Sequence, residues 1–385
     1  MQRPLWTLLV FAAVMTLVVG GSHYYLWTRL VRATALGGLW RQLLTGVLVT
    51  LAALLPVAFV GPRLLDAPWT RGVALVGFSW LGLVFLLLLA VVFGDALHTG
   101  LHYSRGPFDE GRRTFLARLF GGGAAALAAV AGSAALREGL RAPERRDVTV
   151  TLAKLPRALD GLRVVQISDL HVGPTIRRED VADLVRRTNE LQPDLVALTG
   201  DFVDGSVEHL RDQVAPFAEL KARLGVFFVT GNHEYYSGAD AWLAEWRRLG
   251  VRTLRNERVQ VAEGLDVAGI DDATAHRFGP GHGANLGQAL DGRNPEHACI
   301  LLAHQPRHID EAARAGVCLQ LSGHTHGGQI WPFSYLVLLQ QPFVAGLGQR
   351  DTTQIYVSRG TGYWGPPMRL AAPSELTCLT LRSAA

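Results

Sequence analysis

Cysteine is scarce. The 385 residues contain three (Cys299, Cys318, Cys378), far apart and with no CxxC pair, which excludes a disulfide framework and disfavours a thiolate-held metal cluster. Lysine and acidic side chains are nearly missing from the first third: residues 1–104 hold six Arg, no Lys and only Asp66 and Asp95, a balance of +4. The other 31 bases and 31 acids lie in residues 105–385 and cancel. The pI of 9.1 therefore reports arginines beside apolar segments, and no basic patch for nucleic acid follows from it. Internal repeats and low-complexity linkers are absent as well. A hydrophobic share of 49% with mean hydropathy +0.19 excludes a disordered chain and is high for a soluble enzyme.

What the first third does contain is length without charge. Between Arg3 and Arg29 lie 25 residues with no acid, Lys or Arg, and the runs inside Arg41–Arg63 and Arg71–Asp95 hold 21 and 23. A helix needs about 20 apolar residues to cross the hydrocarbon core, so spans are expected at about 5–27, 42–62 and 72–94. A buried soluble helix would carry a polar stripe, and LGLVFLLLLAVVF has none. Pro56 inside the second run is compatible with a bilayer. A fourth uncharged stretch, 119–136, is weakly hydrophobic, since 12 of its 18 residues are Gly or Ala. Arg112-Arg113-Thr114-Phe115-Leu116 just before it resembles a twin-arginine export signal, which would leave a fourth span unless cleaved near Ala131–Ala135. The other reading is an ordinary arginine pair ahead of a fourth helix.

Arginine counts bear on orientation. Arg29, Arg32 and Arg41 separate the first two runs, and Arg105, Arg112, Arg113 and Arg118 precede the fourth, whereas Arg63 and Arg71 face Asp66 between the second and third. Placing the richer loops inside puts everything after Leu136 outside the cytoplasm of a multi-pass cell-membrane protein. Arg137, Arg141, Arg145 and Arg146 pull the other way. The expected division is a transmembrane region over 1–136 and a globular domain over 148–385.

The globular part alternates strand and helix. LRVVQI (162–167), LVAL (195–198) and VFFV (226–229) read as buried strands. Between and after them, Val181, Leu184, Val185 and Leu191, then Leu210, Val214 and Phe217 within 207–220, then Trp242, Trp246 and Leu249, repeat at helical spacing. Shorter strands are expected at 259–261, 265–268, 300–302, 319–321, 355–357 and 376–381. This is an α/β chain with a sheet-rich second half.

Five apolar runs stop at potential ligands: VVQIS at Asp169-Leu170-His171, LVALT at Gly200-Asp201, VFFVT at Gly231-Asn232-His233-Glu234, CILLA at His304, and CLQLS at Gly323-His324-Thr325-His326. One Asp after a strand is commonly a turn or cap residue. Five such ends together point to a ligand site, because open α/β sheets bind at the carboxyl ends of their strands. Residues two apart on an extended chain face the same way, so Asp169 with His171, and His324 with His326, can each reach one centre. Asp169, Asp201, Asn232, His171, His304, His324 and His326 form a mixed oxygen and nitrogen set, too large for one tetrahedral ion and suited to two divalent ions (Mn, Fe or Zn) sharing a carboxylate.

With these blocks the chain resembles the calcineurin-like metallophosphoesterases. Their pattern D-x-H, G-D-x-x-D, G-N-H-D/E, H, G-H-x-H appears complete and in order as DLH, GDFVD, GNHE, His304 and GHTH, over about residues 160–330. The closing GHTHGGQ and the apolar N-terminus look most like the bacterial, membrane-associated YkuE/YaeI-type phosphohydrolases. The resemblance implies a four-layer α/β/β/α sandwich, here preceded by a bundle of three to four transmembrane helices. It assigns Asp169, His171 and His326 to one metal, Asn232, His304 and His324 to the other, and Asp201 to both. It further implies hydrolysis of a phosphate mono- or diester by a metal-bridging hydroxide, with His233 as acid and Asp204 orienting it. Gly205 stands where the protein phosphatases of the superfamily carry a phosphate-binding Arg, which argues against a phosphoprotein substrate.

Other residues are open to two readings. Arg359 and Arg369 in SRGTGYWGPPMRL are candidate phosphate contacts or ordinary loop arginines. His276 and His282, in a Gly-rich loop, read as solvated, and Glu234 as securing a turn. The uncharged stretch Trp331–Leu347 is either buried or a lip that touches the bilayer or an acyl chain, the latter pointing to a lipid-linked phosphate substrate. The rival to an enzyme is a membrane sensor or transport module whose phosphoesterase-like domain only binds ligand.

Overall fold

The computed structural model describes the backbone of residues 5–65, 69–105 and 109–384, and the side chains of these except 5–12, 63–64 and 101–105. Asp66, which enters the arginine balance, lies outside the described residues, as do the side chains of Arg63 and Arg105. The chain falls into two compact units: residues 1–137 with 365–368, and residues 138–364 with 369–385.

The first unit is helical: α1 (Leu5–Trp27), α2 (Gly38–Leu64), α3 (Trp69–Arg105) and α4 (Glu110–Gly139). Among the described residues three stretches are long and apolar enough to cross a membrane, Gly38–Pro62, Trp69–Gly100 and Glu110–Gly139. α1 covers the first expected span. α2, α3 and α4 outrun the uncharged runs because charged and polar residues at their ends continue the same helix. Arg112 and Arg113 stand in the first turn of α4 and continue without a break into its Gly/Ala stretch. The few polar side chains of this unit find one another: Trp80 Nε1 donates to His23 Nε2 (2.9 Å), Tyr25 Oη to Asp95 (2.6 Å), and Arg29 pairs with the same Asp95 (2.9 Å).

The second unit holds two six-stranded sheets. The strands are β1 (Glu144–Leu152), β2 (Arg163–Ile167), β3 (Leu195–Leu198), β4 (Val226–Phe228), β5 (Arg252–Thr253), β6 (Glu257–Ala262), β7 (Leu265–Gly269), β8 (Ala298–Leu302), β9 (Leu319–Ser322), β10 (Gly346–Arg350), β11 (Thr353–Val357) and β12 (Glu375–Ser383). One sheet runs β1-β12-β2-β3-β4-β5 and the other β10-β11-β9-β8-β7-β6. Strands β2 to β5 are mutually parallel, as are β7, β8, β9 and β11. Alternation along each strand sorts side chains into layers. Val164, Leu195, Ala197, Ile300, Leu302, Leu319 and Leu321 meet between the sheets. Val165, Ile167, Val196, Leu198 and Phe228 face outward onto α5 (Arg178–Glu190) and α8 (Ala239–Arg248), through Val181, Leu184, Trp242 and Trp246. Between these two helices in the chain come α6 (Val207–Val214) and α7 (Asn232–Ser237). On the far face, Cys299 and Leu301 pack against Leu286 of α9 (Leu286–Ala289) and Ala312 of α10 (Ile309–Arg314). The result is the expected α/β/β/α sandwich.

The helix expected over 207–220 is shortened. α6 ends at Val214 and a 3-10 turn follows, because Pro216 lacks the N–H that would continue the α-helix. Strand β1 starts at Glu144, four residues before the expected boundary at 148, and pairs in parallel with β12 from Glu144↔Glu375 onward.

Candidate metal centre

Each expected ligand leaves the carboxyl end of a strand: Asp169 and His171 after β2, Asp201 after β3, Asn232 at the first turn of α7 after β4, His304 after β8, and His324 and His326 after β9. The ends of both sheets converge. Ligand atoms of Asp169, His171 and His326 lie within 4.8 Å of one another, and so do those of Asp201, His304 and His324. His171 Nε2 is 3.1 Å from His326 Nε2 and Asp169 Oδ1 is 3.6 Å from the latter. On the other side His304 Nε2 lies 3.1 Å from Asp201 Oδ2 and 3.2 Å from His324 Nδ1.

The extended-chain argument fails for one pair. His324 and His326 join different clusters, and both stand on left-handed backbone (φ 70° and 50°) rather than on the extended chain which that argument requires. Asp169, His171 and Asp201 share this conformation (φ 54°, 56° and 58°). Non-glycine residues seldom occupy it, at about 1–3 kcal/mol each, and it persists where the surroundings over-determine it. The neighbouring glycines leave room. A Cβ on Gly231 would overlap the Asp201 carboxylate, and one on Gly323 would overlap Ser168 and Asp169.

Hydrogen bonds fix how the imidazoles point. Nδ1–H of His304 donates to the Thr199 carbonyl (2.7 Å), leaving Nε2 for the centre. Asp204 Oδ1 accepts from Nδ1 of both His171 (3.1 Å) and His233 (2.6 Å). Asp169 accepts the backbone N–H of His324 (2.9 Å) and Asp201 that of His233 (2.8 Å). Glu234 is buried and secures the turn as expected, accepting N–H from Gly231 (2.7 Å), Asp201 (2.9 Å) and Phe202 (2.8 Å).

Charge follows from this packing. Burial alone would lower His304, yet the facing Asp201 carboxylate outweighs it and pushes the group well above the usual imidazole range. The field at its Nε2 thus favours a positive charge there, a proton or a cation. Burial and the nearby His304 press His324 down to about 4, and burial with the Arg369 charge presses His326 far below its usual value. Burial opposes protonation of His233 as well, but Asp201 and the Asp204 hydrogen bond raise it to about 9. Asp204 is held well below the carboxylate range by His171 and His233 against its own desolvation. Burial lifts Glu234 to about 7, with Asp201 adding and the three N–H donors opposing.

The donor set fits divalent cations. Asn232 Oδ1 is buried with no hydrogen-bond partner, an orphaned acceptor on the residue between Gly231, whose Cβ would meet the Asp201 carboxylate, and His233, whose N–H that carboxylate accepts.

The remaining candidates have other surroundings. The Arg369 guanidinium is buried and occupied by the carbonyls of His326 (2.8 Å), Arg359 (2.7 Å) and Gly362. Arg359 pairs with Glu375 at 2.8 Å. His276 is exposed, as expected; His282 is not solvated but packs edge-on against Tyr235 and lies 2.9 Å from Arg255 Nη2. Trp331–Leu347 is not a buried strand. Short helix α11 (Ser334–Val337) and the residues around it hold their large apolar side chains in solvent. Two further residues escaped the sequence reading, Tyr236 and Trp364, whose rings pack edge-on against His233 at 5.2 and 5.5 Å. Only the position of Tyr236 three residues after His233 on a helix could have signalled its part.

Comparison with known proteins gives the same reading. Residues 162–328 match the calcineurin-like phosphoesterase family. The chain is 39% identical over 330 residues to a transmembrane protein with metallophosphoesterase domain from Danio rerio, covering 81% of this chain and 74% of that one. It is 30% identical over 285 residues to the metallophosphoesterase YkuE of Bacillus subtilis, covering 71% and 98%. A solved dimetal phosphatase from Danio rerio aligns with 58% of this chain and 100% of its own at 13% identity and TM-score 0.35. The chain belongs to the calcineurin-like metallophosphoesterases, a family of metal-dependent hydrolases.

Proposed function

We propose that the protein is a membrane-anchored phosphoesterase working with two divalent ions, Asp169, His171 and His326 holding one, Asn232, His304 and His324 the other, and Asp201 shared. The observation that carries this reading is the pair of ligand clusters at the strand ends, together with the buried, unpartnered Asn232 oxygen in the turn after β4. When bound, such a pair supplies Lewis acidity toward the phosphoryl oxygens and an activated water. The protein's own groups do the rest. Asp204 fixes the tautomers of His171 and His233, so each presents Nε2 away from it. His233, kept protonated by Asp201 and Asp204, is the acid for the departing oxygen. Trp364 and Tyr236 hold its ring from two sides.

The twin-arginine reading of Arg112-Arg113 and the richer arginine loops favour a catalytic unit outside the cytoplasm, which a C-terminal reporter fusion tests. The activity test uses the full-length protein, stripped by a chelator and reloaded with manganese, iron or zinc. Metal content near two ions per chain with turnover of chromogenic phosphate mono- or diesters is expected. Metal binding without turnover of any ester would leave a domain that only binds ligand.

A further inference from the structure

Nine of the ten large apolar side chains exposed on the catalytic unit, among the described residues, fall in two places. Seven belong to Trp331–Leu347, among them Trp331, Phe333, Tyr335, Leu336, Leu338 and Leu339, the last 80% exposed. The other two are Tyr236 and Trp364, the rings against His233.

This lip is held, not frayed. At its start the Gln329 amide donates to the Trp364 carbonyl (2.9 Å) and accepts the Trp364 N–H (3.0 Å), while Trp331 N–H donates to Leu370 (3.1 Å). At its end the buried Gln341 donates to Gln305 (3.1 Å) and accepts the Arg307 N–H (3.1 Å), and Thr325 Oγ1 donates to the Val344 carbonyl (2.6 Å). Both anchors grip the segment while its apolar side chains stay in solvent. The Gln329–Trp364 pair also joins the lip to the wall of His233, three residues beyond the candidate ligand His326.

The chain itself says what covers such a surface. Only residues 140–143, at most about 14 Å of extended chain, separate α4 from β1, so the lip belongs to a chain tethered to helices long and apolar enough to cross a membrane. Residues 327–349 carry no charged side chain, and a mixture of Trp, Tyr, Phe and Leu suits the boundary between headgroups and acyl chains. We propose that the lip seats in the bilayer interface and that the enzyme takes its substrate there, a phosphate ester carried on a lipid. This rests on the phosphoesterase reading and names its substrate class. Lip, Trp364 and Tyr236 then form one apolar path along which the lipid's glycerol and chains lie while its phosphate reaches the strand ends.

The test uses the full-length, manganese-loaded protein in phosphatidylcholine vesicles. Turnover of dioleoyl phosphatidic acid and dioleoyl phosphatidylglycerol in the same vesicles is compared with that of their dibutyryl counterparts in solution, which pairs each headgroup with and without long chains. The expected result is a long-chain to short-chain ratio well above one, falling about tenfold in Leu336→Ser/Leu339→Ser. A second measurement needs no turnover. With Cys318→Ser as background, Cys299 and Cys378 being buried, a fluorophore on Leu339→Cys should be quenched by brominated lipid, and one on Glu208→Cys of α6 should not. Absence of quenching at 339 overturns the proposal, as does a ratio near one or a ratio unmoved by the double variant. Turnover of soluble chromogenic esters with neither long-chain lipid touched overturns it while the phosphoesterase reading stands. Failure on every ester sinks both.

Discussion

The two units use apolar residues to opposite ends. In the helical unit Phe93 and Val130 are 67% and 71% exposed, and the few polar groups pair with one another, as Tyr25, Arg29 and Asp95 do. In the catalytic unit Trp242, Trp246, Phe202 and Phe228 are fully buried, and polar groups gather at the strand ends. Backbone strain divides the same way. Among the described residues the first unit has one left-handed non-glycine residue, Ala35, whereas the second has ten, five of them candidate ligands. A lipid-facing helix needs no unusual dihedral, since its backbone satisfies itself; a site that draws its candidate ligands from five strand ends does. The lesson is that exposure alone does not define a surface. The medium does, and the lip is the place where the catalytic unit follows the membrane unit's rule.

The comparison can be pressed hardest at the strained positions. Asp201→Ala should cut turnover by at least about 10³-fold and lower bound metal per chain, read by steady-state kinetics and elemental analysis. Full activity in that variant would break the assignment of strain to ligation. His233→Ala should keep its metal and lose about 10²-fold or more in kcat, with a smaller loss on esters whose leaving groups need no proton. In the buried core, Trp246→Ala should destabilise the catalytic unit by about 3–5 kcal/mol in chemical denaturation. Val130→Arg, on an exposed face of α4, should cost about 2.5–3.5 kcal/mol of membrane insertion if that face meets lipid and nearly nothing if it meets water. Phe93→Ala should change the stability of the detergent-solubilised protein by less than about 0.5 kcal/mol, despite removing a ring as large as that of Phe228.

Much of this was legible from residue order. Apolar runs that stop at DLH, GD, GNHE, His304 and GHTH announce strands with ligands at their ends, and charge-free length announces the helices. What stayed hidden has physical causes. β1 contains Glu144, Arg145, Arg146 and Asp147 and lies at a sheet edge, so its pattern is that of a solvated strand rather than a buried one. Left-handed Asp and His look like any other Asp and His until neighbours force them. The stretch 331–347 shows that an uncharged run fixes only what a segment lacks; whether it is covered depends on the anchors at Gln329 and Gln341, distant in sequence from their partners. His282 was misread for the same reason: its partners Tyr235 and Arg255 lie tens of positions upstream.

Asp204 carries a consequence of its own. One carboxylate oxygen receives both a candidate ligand, His171, and the candidate acid, His233, so occupancy and protonation share a single pivot. Removing that carboxylate would release both rings at once, and a variant at 204 would show entangled defects in affinity and in leaving-group dependence. Two tasks that enzymology usually dissects separately are, in this fold, mechanically yoked.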